Sequence, residues 1–233
     1  MKKNNNDLSY IYRISPDGAD EKFEIKITPG QPFHSADGSL EKAPEWTLLG
    51  FCRCSVCPFD ESSSKRCPAA LSVAGVIEFF KDLISYHKVN AEVFSPGRKT
   101  SASLPAQEAL GSLMGLCLAV SGCPVLKDFE TMARFHLPFA STDETMYRIV
   151  GNYLIKQYFI KEEGGEPDWR LEGLTEFYDR VARLNTNLAE RIRLSTNEDA
   201  AVNAVIILDN YAKNVKYMFE NVLEKIKNYY YFK

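Results

Sequence analysis

Six cysteines stand in a chain of 233 residues, and four of them have neighbours and spacings that suit a metal. The central run is Phe51-Cys52-Arg53-Cys54-Ser55-Val56-Cys57-Pro58, with nine residues between Cys57 and Cys67-Pro68, and Ser121-Gly122-Cys123-Pro124 far along the chain. Two residues between Cys54 and Cys57 let a tight turn aim both thiolates at one ion. A tetrahedron needs two more ligands. Cys67 and Cys123 each precede a proline that opens an expected helix, and proline favours the first helical position, which makes each cysteine an N-cap. Free amides and the positive end of a helix dipole there favour the thiolate, the form a metal binds. The expected ligand set is Cys54, Cys57, Cys67 and Cys123, holding zinc or an iron–sulfur cluster. Four thiolates serve both, and proline directly after a ligand cysteine recurs in ferredoxin-type sites. Four protein ligands leave no open coordination position, so a zinc ion there is structural and the chain's role regulatory or partner-binding.

Two other readings compete. Cys54 and Cys57 cycling between dithiol and disulfide would make a thiol redox enzyme or sensor. However, Pro58 and the polar run Asp60–Lys65 follow the motif, where a thioredoxin-like site would begin a helix. Free cysteines also serve as small buried hydrophobes, which leaves a metal-free interaction scaffold. Cys117, between Leu116 and Leu118, reads as core. Cys52, on the face of Cys54 if a preceding strand continues that far, reads as core first and as an alternate ligand second. Arg134 and His136 follow Cys123 by one short helix. They are candidates to line a pocket near the metal, with His136 able to replace a cysteine, although such a pair more often satisfies helix C-terminal carbonyls. His34 and His87 read as solvent-exposed or capping.

Several function classes lack their signatures. The chain has no phosphate-binding Gly-x-x-x-x-Gly-Lys-Ser/Thr, no Gly-x-Gly-x-x-Gly, no His-Glu-x-x-His and no Gly-x-Ser-x-Gly. A net charge of −3 gives no basic excess for a nucleic-acid partner. The longest apolar run, Leu110–Val120, falls short of the roughly 20 residues that span a bilayer. No apolar stretch follows Met1-Lys2-Lys3, so no secretory leader is expected. Together these suggest a cytoplasmic, reducing setting without a membrane partner, in which cysteines are not a disulfide framework.

The elements that must position these residues read as α+β: N-terminal antiparallel hairpins with one packed helix, followed by a C-terminal antiparallel helical bundle. Leu8, Tyr10, Tyr12 and Ile14 alternate with mostly polar residues. After a turn at Ser15–Gly18, Phe23, Ile25 and Ile27 do the same, which predicts a hairpin. Pro29–Pro44 reads as a loop, Trp46–Phe51 as a short strand and Pro68–Tyr86 as a helix. Val89–Phe94 and Lys99–Leu104 flank Ser-Pro-Gly-Arg as a second hairpin. Helices are predicted over Pro105–Ser121, Pro124 to about Phe135, Asp143–Glu162, Leu171–Leu194 and about Glu198–Lys227, three of them long and amphipathic. Gly111, Gly115 and Ala119, four apart, predict close packing of a neighbouring backbone. Thr196 with Asp199 resembles a capping box. Trp46 and Trp169, each after a proline-acid pair, read as anchors at element starts. Asn203 or Asp209 is expected to make a buried polar contact, and Tyr229-Tyr230-Tyr231-Phe232 an aromatic tail. A boundary near Leu104 divides residues 1–104 from 105–233, as two halves of one unit joined at the cysteine site.

The chain resembles a bacterial family classed as a domain of unknown function. The resemblance rests on Pro44-Glu45-Trp46-Thr47, on Cys54-x-x-Cys57-Pro58 with Cys67-Pro68, and on Ser121-Gly122-Cys123-Pro124-Val125-Leu126. It extends to Met132–Ala140 and to Glu166-Pro167-Asp168-Trp169. It implies a bacterial origin and a chain that acts as one unit, and it implies no activity.

Overall fold

The computed structural model describes residues 8–16, 23–30, 43–60, 62–195 and 200–230; side chains at 200, 211 and 214–220 are outside the description. His34, Asp17 and Gly18, Thr196 with Asp199, Tyr231 and Phe232 therefore lie outside the described residues.

Period-two alternation becomes four strands: β1 (Tyr10–Pro16), β2 (Phe23–Ile27), β3 (Lys88–Ser95) and β4 (Arg98–Pro105). All pairings are antiparallel and the order is β2-β1-β3-β4, so the two expected hairpins join edge to edge through β1 and β3. Gly97 takes a φ of +73°, the left-handed turn geometry that glycine adopts without a Cβ clash. Tyr10, Tyr12, Ile14, Val89, Ala91 and Val93 are buried on one face. Polar pairs such as Arg13 with Glu24 and Lys99 with Glu92 hold the other. That is the one-sided burial an antiparallel sheet permits.

The helices are α1 (Pro68–Phe80), α2 (Ala106–Ala119), α3 (Glu130–Arg134), α4 (Thr142–Glu162), α5 (Glu172–Arg193) and α6 (Ala200–Tyr230). α1 and α2 are apolar almost all round and correspondingly buried, as a central helix must be. α6 packs against both α2 and α5. The small-residue stripe of α2 makes that approach possible: a Cβ on Gly111 would lie 3.9 Å from the Ala204 carbonyl oxygen, and one on Gly115 would lie 3.8 Å from Leu208. Ser141 caps α4 in a reciprocal box. Its Oγ accepts from the Glu144 amide at 3.3 Å, while the Ser141 amide donates to Glu144 Oε2 at 2.8 Å. One continuous apolar core runs from Tyr10 of β1 to Val222 of α6. Among the described residues no single helix is long and apolar enough to cross a membrane.

Three local expectations need correction. Trp46–Phe51 is not a strand: Glu45–Thr47 forms a 3-10 turn, and only Leu48 bridges, to Arg66. The Thr47 hydroxyl donates to the Pro44 carbonyl at 2.6 Å and its amide donates to the same oxygen at 3.0 Å, which winds the segment up. The helix after Cys123 is a 3-10 run, Pro124–Phe129, continued by the short α3. Trp169 is exposed and not buried as an anchor would be. Its neighbour Asp168 does the anchoring, accepting from Tyr153 Oη and the Gly173 amide, both at 2.8 Å, while its own amide donates to buried Gln157 at 2.9 Å. Burial pushes the Asp168 carboxyl up, but these donors hold it below its ordinary value.

Candidate functional site

The cysteine loop is closed at its stem, where residues 47–49 pair with residues 65–67. Leu48 bridges Arg66, with the Leu49 amide donating to the Lys65 carbonyl at 3.0 Å. Beside it the Cys67 amide donates to the Thr47 carbonyl at 2.8 Å, and Cys67 itself caps α1 with Pro68 behind it. Inside the loop the Cys57 amide donates to the Cys54 carbonyl at 3.1 Å, the tight turn that Cys-x-x-Cys spacing allows.

Cys52, Cys54, Cys57 and Cys67 line a common small cavity of about 20 Å³ against Leu184, Leu188 and Arg191 of α5. Cys54 and Cys57 stand on the same wall of it, brought together by their shared turn. Burial, followed by the proximity of the Cys57 and Cys67 sulfurs, pushes the Cys54 thiol up to about 11. Cys123 lies outside that cavity wall, buried at the N-cap of the Pro124 turn. It is close enough to Cys67 and Cys54 for their charges to act on it. The expectation that helix N-caps favour the thiolate needs correction at Cys123. The Val125 and Leu126 amides do pull its pKa down, yet burial wins and it stands at about 12. A six-residue 3-10 run also carries little dipole to oppose that burial. All six cysteines are free thiols, and among the described residues no three Cys, His, Asp or Glu side chains are grouped closely enough to hold a metal ion.

Cys52 is not on a strand face. It sits in a turn with a φ of +47°, a left-handed conformation that a side-chain-bearing residue rarely adopts, and it faces the other thiols instead of the core. Cys117 is fully buried, as expected of a core cysteine.

Arg191 is the residue that sequence reasoning missed. It is only 3% exposed, and its guanidinium donates to the carbonyls of Trp46 at 2.6 Å, Leu48 at 2.7 Å and Leu49 at 3.0 Å. Burial lowers its pKa, and the Cys67, Cys52, Cys54 and Cys57 sulfurs act against that. The signal was available. Phe177, Leu184 and Arg191 are seven apart, so Arg191 occupies the next position of an apolar heptad stripe.

Arg134 and His136 do not border the cysteine cavity. The Arg134 guanidinium lies over Gly30, where an added Cβ would come within 2.7 Å of it. The carbonyls ending α3 are satisfied by others: Tyr10 Oη donates to the Arg134 oxygen at 3.1 Å, and Arg148 Nη2 donates to those of Met132 at 3.1 Å and Phe135 at 2.8 Å. His136 joins a polar chain, with Nε2 2.5 Å from Tyr12 Oη, which lies 2.8 Å from Ser112 Oγ. Burial, aided by the Arg148 charge, drops its pKa to about 3. It lines a much larger cavity, about 580 Å³, whose wall contains none of the cysteines.

Against known proteins, a family model described as a domain of unknown function (DUF6901) matches residues 8–231. No curated protein and no solved structure matches the chain.

Proposed function

We propose that this chain, which belongs to the family of the domain of unknown function DUF6901, holds one structural metal ion on Cys54, Cys57, Cys67 and Cys123. In that reading the ion clips the cysteine loop to the start of α1 and to the start of the Pro124–Phe129 turn, joining the two halves of the chain, and so braces a regulatory or partner-binding protein of a reducing, cytoplasmic setting. The observation that carries it is the gathering of Cys54, Cys57 and Cys67 around one cavity. A volume of about 20 Å³ is room for one ion or one water, and a cube of irons and sulfides does not enter it. Fit therefore favours zinc over a cluster. Charge suits either group: four thiolates leave a divalent ion or a cluster net negative, and Arg191, its guanidinium locked by three carbonyls, stands beside Cys54, Cys57 and Cys67. When bound, the ion would supply cross-linking and no open coordination position.

The tight turn that sets Cys54 and Cys57 on one cavity wall favours a second reading, a reversible dithiol. A Cys54 thiol held at about 11 argues against it, because the thiolate is the attacking species.

Elemental analysis and the visible spectrum of anaerobically purified protein separate these readings. One equivalent of zinc and no colour is the expected result. Brown protein with iron and sulfide replaces the ion by a cluster. No metal with a reversible Cys54–Cys57 disulfide transfers the site to redox work, and neither leaves a scaffold. Cys67→Ser and Cys123→Ser are expected to lose the ion and lower the melting temperature. Full occupancy in Cys123→Ser with loss in Cys52→Ser would make Cys52 the fourth ligand.

A further inference from the structure

The cavity between α2, α3, α4, α5 and α6 measures about 580 Å³, the size of a small-molecule site. Its wall is mostly apolar, with Leu116, Leu126, Phe129, Met132, Ile149 and Val181 among the side chains. Two residues do not suit an apolar void. Tyr178 is 4% exposed and Asn185 is 2% exposed. Both line the cavity, and among the described residues neither side chain has a hydrogen-bond partner. The one sealed, unpartnered side-chain atom among the described residues is Asp209 Oδ1. The polar atoms of Tyr178 and Asn185 are therefore not sealed in packed protein, and the space both residues border is this cavity, Tyr178 touching a small neighbouring one as well. A buried hydroxyl and a buried amide left without partners cost stability unless something supplies their bonds. Seven residues apart on α5, they share a helix face and stand about 10 Å from each other along its axis.

Arg148 supplies the charge. It lines the same cavity and makes no ion pair among the described residues. Its two bonds to main-chain oxygens use Nη2, which leaves the rest of its donor fork available. Its charge acts on the Tyr178 hydroxyl, which places the two groups in one region of the wall. The sole carboxylate of the described wall, Glu108, is exposed.

We propose that this cavity binds an apolar monocarboxylate that carries a second hydrogen-bonding group about 10 Å from its carboxylate. Arg148 and Tyr178 take the carboxylate, the apolar wall takes the body, and Asn185 takes the distal group. The assignment does not depend on the metal site, since no cysteine borders this cavity.

Calorimetric titration of the full chain with decanoate, ω-hydroxydecanoate and decanol tests it. Decanoate is expected to bind at least about tenfold more tightly than decanol, as a charge-assisted bond requires. ω-Hydroxydecanoate should bind about fivefold more tightly than decanoate, the yield of one added hydrogen bond. Asn185→Leu should remove that fivefold gain and leave decanoate binding in place. Arg148→Gln should weaken both acids about tenfold. Because Arg148→Gln also frees two carbonyls, Tyr178→Phe is the second variant, expected to weaken decanoate about fivefold without lowering the melting temperature. No binding of either acid at millimolar concentration overturns the proposal. So does decanol binding as tightly as decanoate, or an ω-hydroxyl gain that survives Asn185→Leu.

Discussion

Arg191 and His136 are charge-capable side chains treated oppositely by burial. Arg191 keeps its charge because its fork finds three carbonyls at once, a geometry that a lysine's point charge cannot reproduce. His136 gives up its charge, since burial and the Arg148 cation hold it at about 3. Between that value and the ordinary value of about 6.5, the unfolded chain binds a proton that the folded chain refuses. The contribution is complete above about pH 6.5 and is lost as pH falls towards 3. Moving from pH 7 to pH 5 is therefore expected to cost about 2 kcal/mol through this residue. Urea unfolding of His136→Gln at both pH values checks it: the variant should lose that part of the acid sensitivity, and an unchanged difference would show a histidine that protonates freely in the fold.

At the scale of elements, each helix is stopped and seated by a few polar contacts. Ser141 and Glu144 close α4 at its start, and Asp168 ties the turn between α4 and α5 to Tyr153, Gln157 and Gly173. Ser141→Ala should lower stability by about 1 kcal/mol in denaturant titration, and Ser141→Asp should restore most of it, because a carboxylate also accepts from the third amide of the helix. Ser-x-x-Glu at residues 141–144 is the full capping-box signature, which Thr196 with Asp199 matches only in part. Helical and strand spans were legible from period alone, since 3.6 and 2 are backbone geometry. The Trp46 segment was not, because a contact between the Thr47 hydroxyl and Pro44 overrode an apolar run too short to declare a period.

Over the whole molecule, the sheet and the helices share one apolar core, with Trp46 buried in the first half and Trp169 exposed in the second. Unfolding is expected to be one transition. In a Trp169→Phe chain, the fluorescence of Trp46 and far-ultraviolet circular dichroism should trace the same midpoint in urea. Two separated midpoints would instead make residues 1–104 and 105–233 independent folding units.

Residue type and spacing by themselves determined the α+β class, the two hairpins, the long helices and the choice of Cys54, Cys57 and Cys67 as neighbours, because each follows from local geometry or from a short loop. Only the tertiary structure decided that Cys52 joins them, that Arg191 reaches in from α5, and that His136 faces a different cavity beside Arg148, with Tyr178 and Asn185 in its wall. Those placements depend on how α5 lies against residues well over a hundred positions earlier, as in the bond of Arg191 to Trp46. Contacts between segments so distant along the chain are set by packing of the whole core, and no local period records them.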